Sequence, residues 1–180
     1  MKFEIKGKRI ILRNIGKCDA NSIYKHANDK KVFRYTTLPY PYTKKDALEF
    51  IPIAQKGLRE QTDYELGIAM KDEDSIIGMI ALKHIDRENK LSAEIGYWLG
   101  VKYWRQGITS EAAGLMLDFA FYDLNLNKVF AKVMEPNQAS VKLLQKLGFK
   151  KEGFLRKHEK RNGVWMNVIY LGLLKKEYKK

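Results

Sequence analysis

Three consecutive segments constrain this fold more than anything else in the chain. Residues 92–100 (SAEIGYWLG) read as a strand, and residues 109–123 carry Ala112, Leu115, Met116, Phe119 and Ala120 at helical spacing. Residues 128–134 then alternate Val129, Ala131 and Val133, the period of a strand with one buried face. A strand, a long helix and a strand in direct succession need a crossover, which lays the two strands parallel.

The flanking segments read as antiparallel. Residues 8–15 (KRIILRNI) form a first strand, and residues 19–29 a helix with Ile23, Tyr24 and Ala27 on one face. Residues 33–42 hold two prolines and several aromatics and read as a loop. Thr43 offers a helix N-cap with Asp46 three residues on, and Ala47, Leu48 and Ile51 follow at helical spacing. Pro52 is expected to kink or restart that helix. Residues 64–71 and 75–86 flank the acidic turn Asp72-Glu73-Asp74 as a hairpin. Pro136-Asn137 opens a last helix that Gly148 closes, and residues 154–160 and 164–174 flank the turn signal Asn162-Gly163. The expected fold is mixed α/β, with seven strands and four helices over a single domain spanning 1–180.

Composition narrows the function classes. No apolar run approaches the roughly 20 residues of a membrane span, and the charged first residues are no signal peptide. The single cysteine, Cys18, has no partner for an internal disulfide and no zinc-spaced neighbours, so a cytoplasmic protein without a metal site or membrane association is expected. His26, His84 and His158 are scattered. The formal charge of +13 attracts anions, whether a polyphosphate, nucleic acid or a ribosome, and equally serves solubility.

The connection from residue 103 to residue 112 (YWRQGITSEA) carries the chemistry. The first turn of a helix leaves main-chain N–H groups without partners, and the aligned peptide dipoles add partial positive charge there. Gly107 lacks a Cβ, so an anion can approach the backbone, while Thr109, Ser110 and Arg105 add donors and charge. The alternative is a strand–helix turn that needs one glycine.

The run Glu94-Ile95-Gly96-Tyr97-Trp98-Leu99, with Trp104, Gln106-Gly107 and Ser110-Glu111-Ala112, resembles the GNAT superfamily of acetyltransferases. A second block agrees: Asn137, Ala139, Ser140, Leu143-Leu144, Lys146-Leu147-Gly148-Phe149 and Glu152-Gly153. With Leu12-Arg13 and Asp19-Ala20, the match looks most like the ribosomal-protein N-acetyltransferase (RimJ/RimL type) branch. The resemblance implies a sheet split into a V with acetyl-CoA in the cleft. Its pyrophosphate would rest on Arg105, Gln106, Gly107, Ile108, Thr109 and Ser110. Its pantetheine arm would pair with the strand at Trp98, Leu99 and Val101 and meet Asn137, and Ser140 would lie near the sulfur. The tyrosine acid common in the superfamily is replaced by Leu144, and an aspartate of the branch by Asn167.

An amine attacks a thioester directly, so no protein nucleophile is needed. Glu94 is the candidate base, with a structural carboxylate paired to a lysine as the alternative. Ser140 is the candidate donor to the departing sulfur, or a plain first-turn residue. Glu111 favours the positive helix end. Phe33, Tyr35, Tyr40 and Tyr42 form either a substrate wall or packing under a loop. The expected partners are acetyl-CoA and an amine acceptor, a protein N-terminus with possible ribosome association, for a monomer or homodimer. The alternatives are a small amine (amino acid, aminoglycoside or polyamine) and a non-catalytic ribosome- or RNA-binding module.

Overall fold

The computed structural model describes residues 3–85, 91–161 and 163–179. The elements run β1 (Glu4–Lys6), β2 (Ile10–Arg13), α1 (Ala20–Ala27), α2 (Lys30–Phe33), α3 (Lys44–Glu60), β3 (Tyr64–Met70), β4 (Ile76–Lys83) and β5 (Ser92–Leu99). They continue with α4 (Ile108–Asp118), β6 (Lys128–Met134), α5 (Gln138–Lys146), β7 (Lys150–Arg161) and β8 (Val164–Leu174). All eight strands join one sheet in the order β1-β2-β3-β4-β5-β6-β8-β7. The mixed α/β architecture is therefore the expected one. The eighth strand is β1, whose three residues are too few to display a period.

The crossover through α4 makes β5 and β6 the parallel pair, as the sequence requires. Their ladder has only three rungs, Ser92↔Lys128, Ala93↔Val129 and Glu94↔Phe130. Beyond Glu94 and Phe130 the two strands diverge, and the sheet opens as a V. One arm is β1 to β5; the other is β6, β8 and β7.

Two hydrophobic clusters fix the sheet, the larger of them spanning both arms. Ile108, Ala112, Ala113, Met116 and Leu117 of α4 are buried against Leu12, Leu66, Ile80 and Ile95 of the sheet. α1 and α3 form a second cluster with Ala69, Ile76 and Met79. The stripe of α1 is Ala20, Ile23 and Ala27, while Tyr24 is 38% exposed, which corrects its expected burial. α3 starts as a full capping box at Thr43 and Asp46. It does not restart at Pro52. The amide that proline lacks would have bonded Leu48, and both residues face solvent, where water can take the carbonyl. After α4 the chain continues for one wide π turn, Phe119–Asp123, which places Phe121 in the core.

The hairpin of β3 and β4 forms as read, and Asp74 of its turn is not merely solvated. Arg13 donates to Asp74 at 2.8 Å and forks onto both oxygens of Asp19, tying β2 to the start of α1. That pairing raises the guanidinium pKa further, Asp19 being the largest cause and outweighing burial. The run Asp86-Arg87-Glu88 and Asn162 lie outside the described residues. Gly163 has φ +78°, the left-handed backbone its hairpin signal predicts.

Candidate active site

The turn into α4 is pinned before any ligand arrives. Arg105 and Gly107 both have left-handed backbones, φ 60° and 76°. For a side-chain-bearing residue such as Arg105 this costs about 1–2 kcal/mol, so surrounding contacts must hold it. Trp104 Nε1 donates to the carbonyl of Leu99 at 2.7 Å, and Gln106 Nε2 to that of Lys102 at 2.9 Å. From the bend just before β2, Arg9 Nη1 donates to the carbonyl of Gln106 at 2.8 Å. The Arg9 main-chain N–H and Nε together grip Glu111, at 2.7 and 2.9 Å. Burial alone would raise the Glu111 carboxyl, but the Arg9 donors outweigh it and hold it below the ordinary carboxylate range. Glu111 thus clasps the turn to β2, a role that its place in the first helical turn did not reveal.

The first main-chain bond of α4 runs from the N–H of Glu111 to the carbonyl of Gly107, at 3.1 Å. The N–H groups of Ile108, Thr109 and Ser110 precede it and point out of the helix end. Ile108 is buried, so only its main chain can meet a ligand. Thr109 and Ser110 are half-buried, and Arg105, Gln106 and Gly107 are exposed around the same turn. The residues expected to cradle a diphosphate are therefore brought together, with donors open.

β5 forms one wall of the cleft. The Gly100 N–H donates to Ile77 of β4 at 2.8 Å. Alternation then turns the main-chain groups of Tyr97 and Leu99 the other way, toward the space that β6 has left. Leu99 turns its N–H into that space while its carbonyl serves Trp104. Trp98 packs on the opposite face with the α1–α3 cluster, and Val101 opens the short helical turn that follows β5. A pantetheine-like amide chain fits this strip as an added strand would.

α5 supplies the other wall. Asn137 is its N-cap, Oδ1 accepting from the Ser140 N–H at 3.4 Å. Ser140 Oγ lies 2.8 Å from the Tyr97 hydroxyl, so a hydrogen bond joins the two arms of the V. Burial pushes the Tyr97 phenol up to about 12 despite the Ser140 contact. Tyr97 was legible only as a strand residue, because its partner is 43 residues away. Leu144 is fully buried, in keeping with the absence of an acid there.

At the base of the V, Glu94 pairs with Lys132 at 3.0 Å, its side chain 23% exposed. The ammonium of Lys132 is raised chiefly by that hydrogen bond. Lys83 is the register partner of Glu94 and pairs with the buried Glu65, so acid and base alternate across four strands. The lysine partner foreseen as the alternative for Glu94 is therefore real, and water can still reach the carboxylate.

The remaining candidates separate. Tyr42 is 3% exposed and belongs to the core. Phe33 and Tyr40 lie tilted against each other at the surface with ring centroids 5.3 Å apart, and Arg34 covers Tyr35. Cys18 is exposed. His26 is buried against Gly100 and Tyr103 in the turn that follows β5. Among the described residues no group of His, Cys, Asp or Glu could hold a metal, and no helix is long and apolar enough to cross a membrane.

This geometry has relatives. Residues 9–150 match the acetyltransferase (GNAT) domain family. The uncharacterized N-acetyltransferase p20 of Bacillus licheniformis is 37% identical over 172 residues, covering 95% of this chain and 96% of the relative. Ribosomal-protein-S5-alanine acetyltransferase from Vibrio fischeri superposes with a TM-score of 0.87 at 23% identity, covering 99% of this chain and all (100%) of that one. Spermidine N-acetyltransferase from Vibrio cholerae, in complex with CoA and spermine, gives 0.81 at 24%, covering 94% and 98%. The divergent sheet, the open helix end and the matched sequence lead to one conclusion: this chain belongs to the GNAT family and is an acetyl-CoA-dependent N-acetyltransferase.

Proposed function

We propose that the acceptor is the α-amino group of a protein N-terminus, a ribosomal protein among the candidates. The observation that carries the reading is the hydroxyl pair Tyr97–Ser140 spanning a cleft with open main-chain donors, with the carboxylate of Glu94, itself paired to Lys132, at its base. Such a site has modest base power. An α-amino group, with a pKa of about 7.7–8.0, is already partly neutral at pH 7, whereas a lysine side chain near 10.4 is not.

In this reading the main-chain N–H groups from Gln106 to Ser110 hold the diphosphate, with Arg105 adding charge. Leu99 and Asn137 fix the pantetheine amides, and Trp98 and Val101 shape the strand that carries them. Another strand amide near Leu99 faces the thioester oxygen, where charge develops. The acceptor nitrogen bonds to the thioester carbon as the carbon–sulfur bond breaks. Glu94 takes the nitrogen's proton through water. Ser140 donates to the departing sulfur, and Tyr97 positions the Ser140 hydroxyl.

Thermal melting with acetyl-CoA is the first test. At a hundredfold excess over the dissociation constant, about 2.7 kcal/mol of stabilisation is expected, a rise of about 5–10 °C for a chain of this size. Mass spectrometry should then find acetylated peptides at the α-amino group. A melting rise with acetylation of polyamines or lysine side chains alone would move the acceptor to the small amines. No melting rise at all would overturn the assignment of the cradle.

A further inference from the structure

β7 is an edge strand that breaks its own ladder. Its register to β8 shifts between Leu155 and Glu159, and Lys157 within the break has φ 48°. A left-handed lysine persists only where its surroundings hold it. Here Asn167 of β8 does so: its Oδ1 accepts from the Lys157 N–H at 2.9 Å. The other end of the same amide donates to Glu135 Oε2 at 2.8 Å, and the Glu135 N–H returns to the Asn167 carbonyl at 2.9 Å. Asn167 thus locks the bulge to the free end of β6, directly before the Asn137 cap.

The bulge borders a shallow pocket, mostly open to solvent, lined by Phe154, Leu155, Arg156, Lys157, His158 and Asn167. Arg156, Lys157 and His158 make no ion pair with a described residue. Two exposed cations and an imidazole therefore line the pocket against one neighbouring carboxylate, Glu135, which Asn167 already holds. Such a pocket favours an anion and repels a polycation.

Its distance from the cleft decides what that anion belongs to. Met134 of β6 and Leu155 of β7 both pair with Val168, so the bulge lies two strand spacings from the mouth, about 10 Å. An extended peptide advances roughly 3.3 Å per residue. A chain whose first nitrogen sits in the cleft therefore reaches the pocket with about its fourth residue.

We propose that the β7 bulge is an acceptor subsite, in which Arg156, Lys157 and His158 receive a carboxylate side chain about three residues beyond the acetylated amine. This rests on the N-terminal reading above and names its substrate class: peptides with an acidic residue near the fourth position.

The test follows thiol release with acetyl-CoA and hexapeptides identical except for Asp, Ala or Lys at position four, using the wild type and Arg156→Glu. The wild type should prefer Asp over Lys by about tenfold, since each exposed ion pair contributes a factor of a few. The difference should lie in the peptide KM. Arg156→Glu should abolish or reverse the order while keeping the melting rise with acetyl-CoA, which certifies its fold. Equal transfer to all three peptides, or an unchanged order in the variant, overturns the subsite alone. Absence of transfer to any α-amine overturns the N-terminal reading and the subsite with it.

Discussion

The two arms of the V present different surfaces to a ligand. The β5–α4 arm offers main-chain groups: open amides at a helix end and one edge of a strand, fixed by the buried stripe of α4 and by Arg9 and Glu111. The β6–β8–β7 arm offers side chains on an edge strand, shaped by one amide, Asn167, and a strained lysine. Main-chain recognition suits a group that never varies, such as a diphosphate, because most side chains can change without disturbing it. Side-chain recognition suits the acceptor, which differs among family members. The same contrast predicts the cost of error: a fault in the first arm should remove the reaction, and a fault in the second should change what is acetylated.

The junction of the arms should give the largest effect. Glu94→Gln is expected to lower kcat by about 100-fold at pH 7, the usual loss of a general base. The deficit should shrink as the pH rises toward the amine's own pKa. Unchanged kcat with a lower melting temperature would make Glu94 purely a partner of Lys132. Next, Gly107→Val places a branched side chain on a left-handed backbone, and the acetyl-CoA KM should rise about tenfold. The peptide KM should not move; if it does, the arms are not independent.

Tyr97→Phe removes the bond between the arms and should lower kcat about fivefold, the value of a typical hydrogen bond. KM values should hold, and Ser140→Ala in the same background should then add little. Asn167→Ala frees the Lys157 amide and the Glu135 carboxylate. It should cost about 1 kcal/mol of stability and weaken discrimination among peptides a few-fold, with the acetyl-CoA KM intact.

The smallest effect is a pH slope. Burial, then Lys102 and Lys25, depress the His26 pKa below its ordinary 6.5. The unfolded chain therefore binds this proton first, and stability is full above pH 6.5 and declines as pH falls through that value. Melting temperatures from pH 8 to pH 5.5 should show the decline, and His26→Gln should flatten it.

Much of the first arm was legible in the sequence because it is local. Glycine at position 107, hydroxyls at 109 and 110 and the apolar stripe of α4 lie within one strand–turn–helix, where spacing fixes geometry. Asn137 was legible as a cap for the same reason. The Arg9–Glu111 clasp was not, since 102 residues separate its members. Nor was the β7 bulge: residues 154–160 read as plain strand, and nothing in them announces that Lys157 turns left-handed. The helix runs on through Pro52 without a restart: propensity is local, whereas the solvent position that tolerates the proline belongs to the packed molecule.

By itself the sequence determined the parallel crossover, the helix end that awaits an anion and the family to which both belong. These follow from periodicity and from residue types a few positions apart. Only the tertiary structure decided that Glu94 answers to Lys132, that Tyr97 reaches Ser140 and that Asn167 locks a basic pocket beside the mouth. Each of those is a contact between strands or helices distant in the chain. Such contacts depend on sheet order and register, and no short-range pattern encodes them.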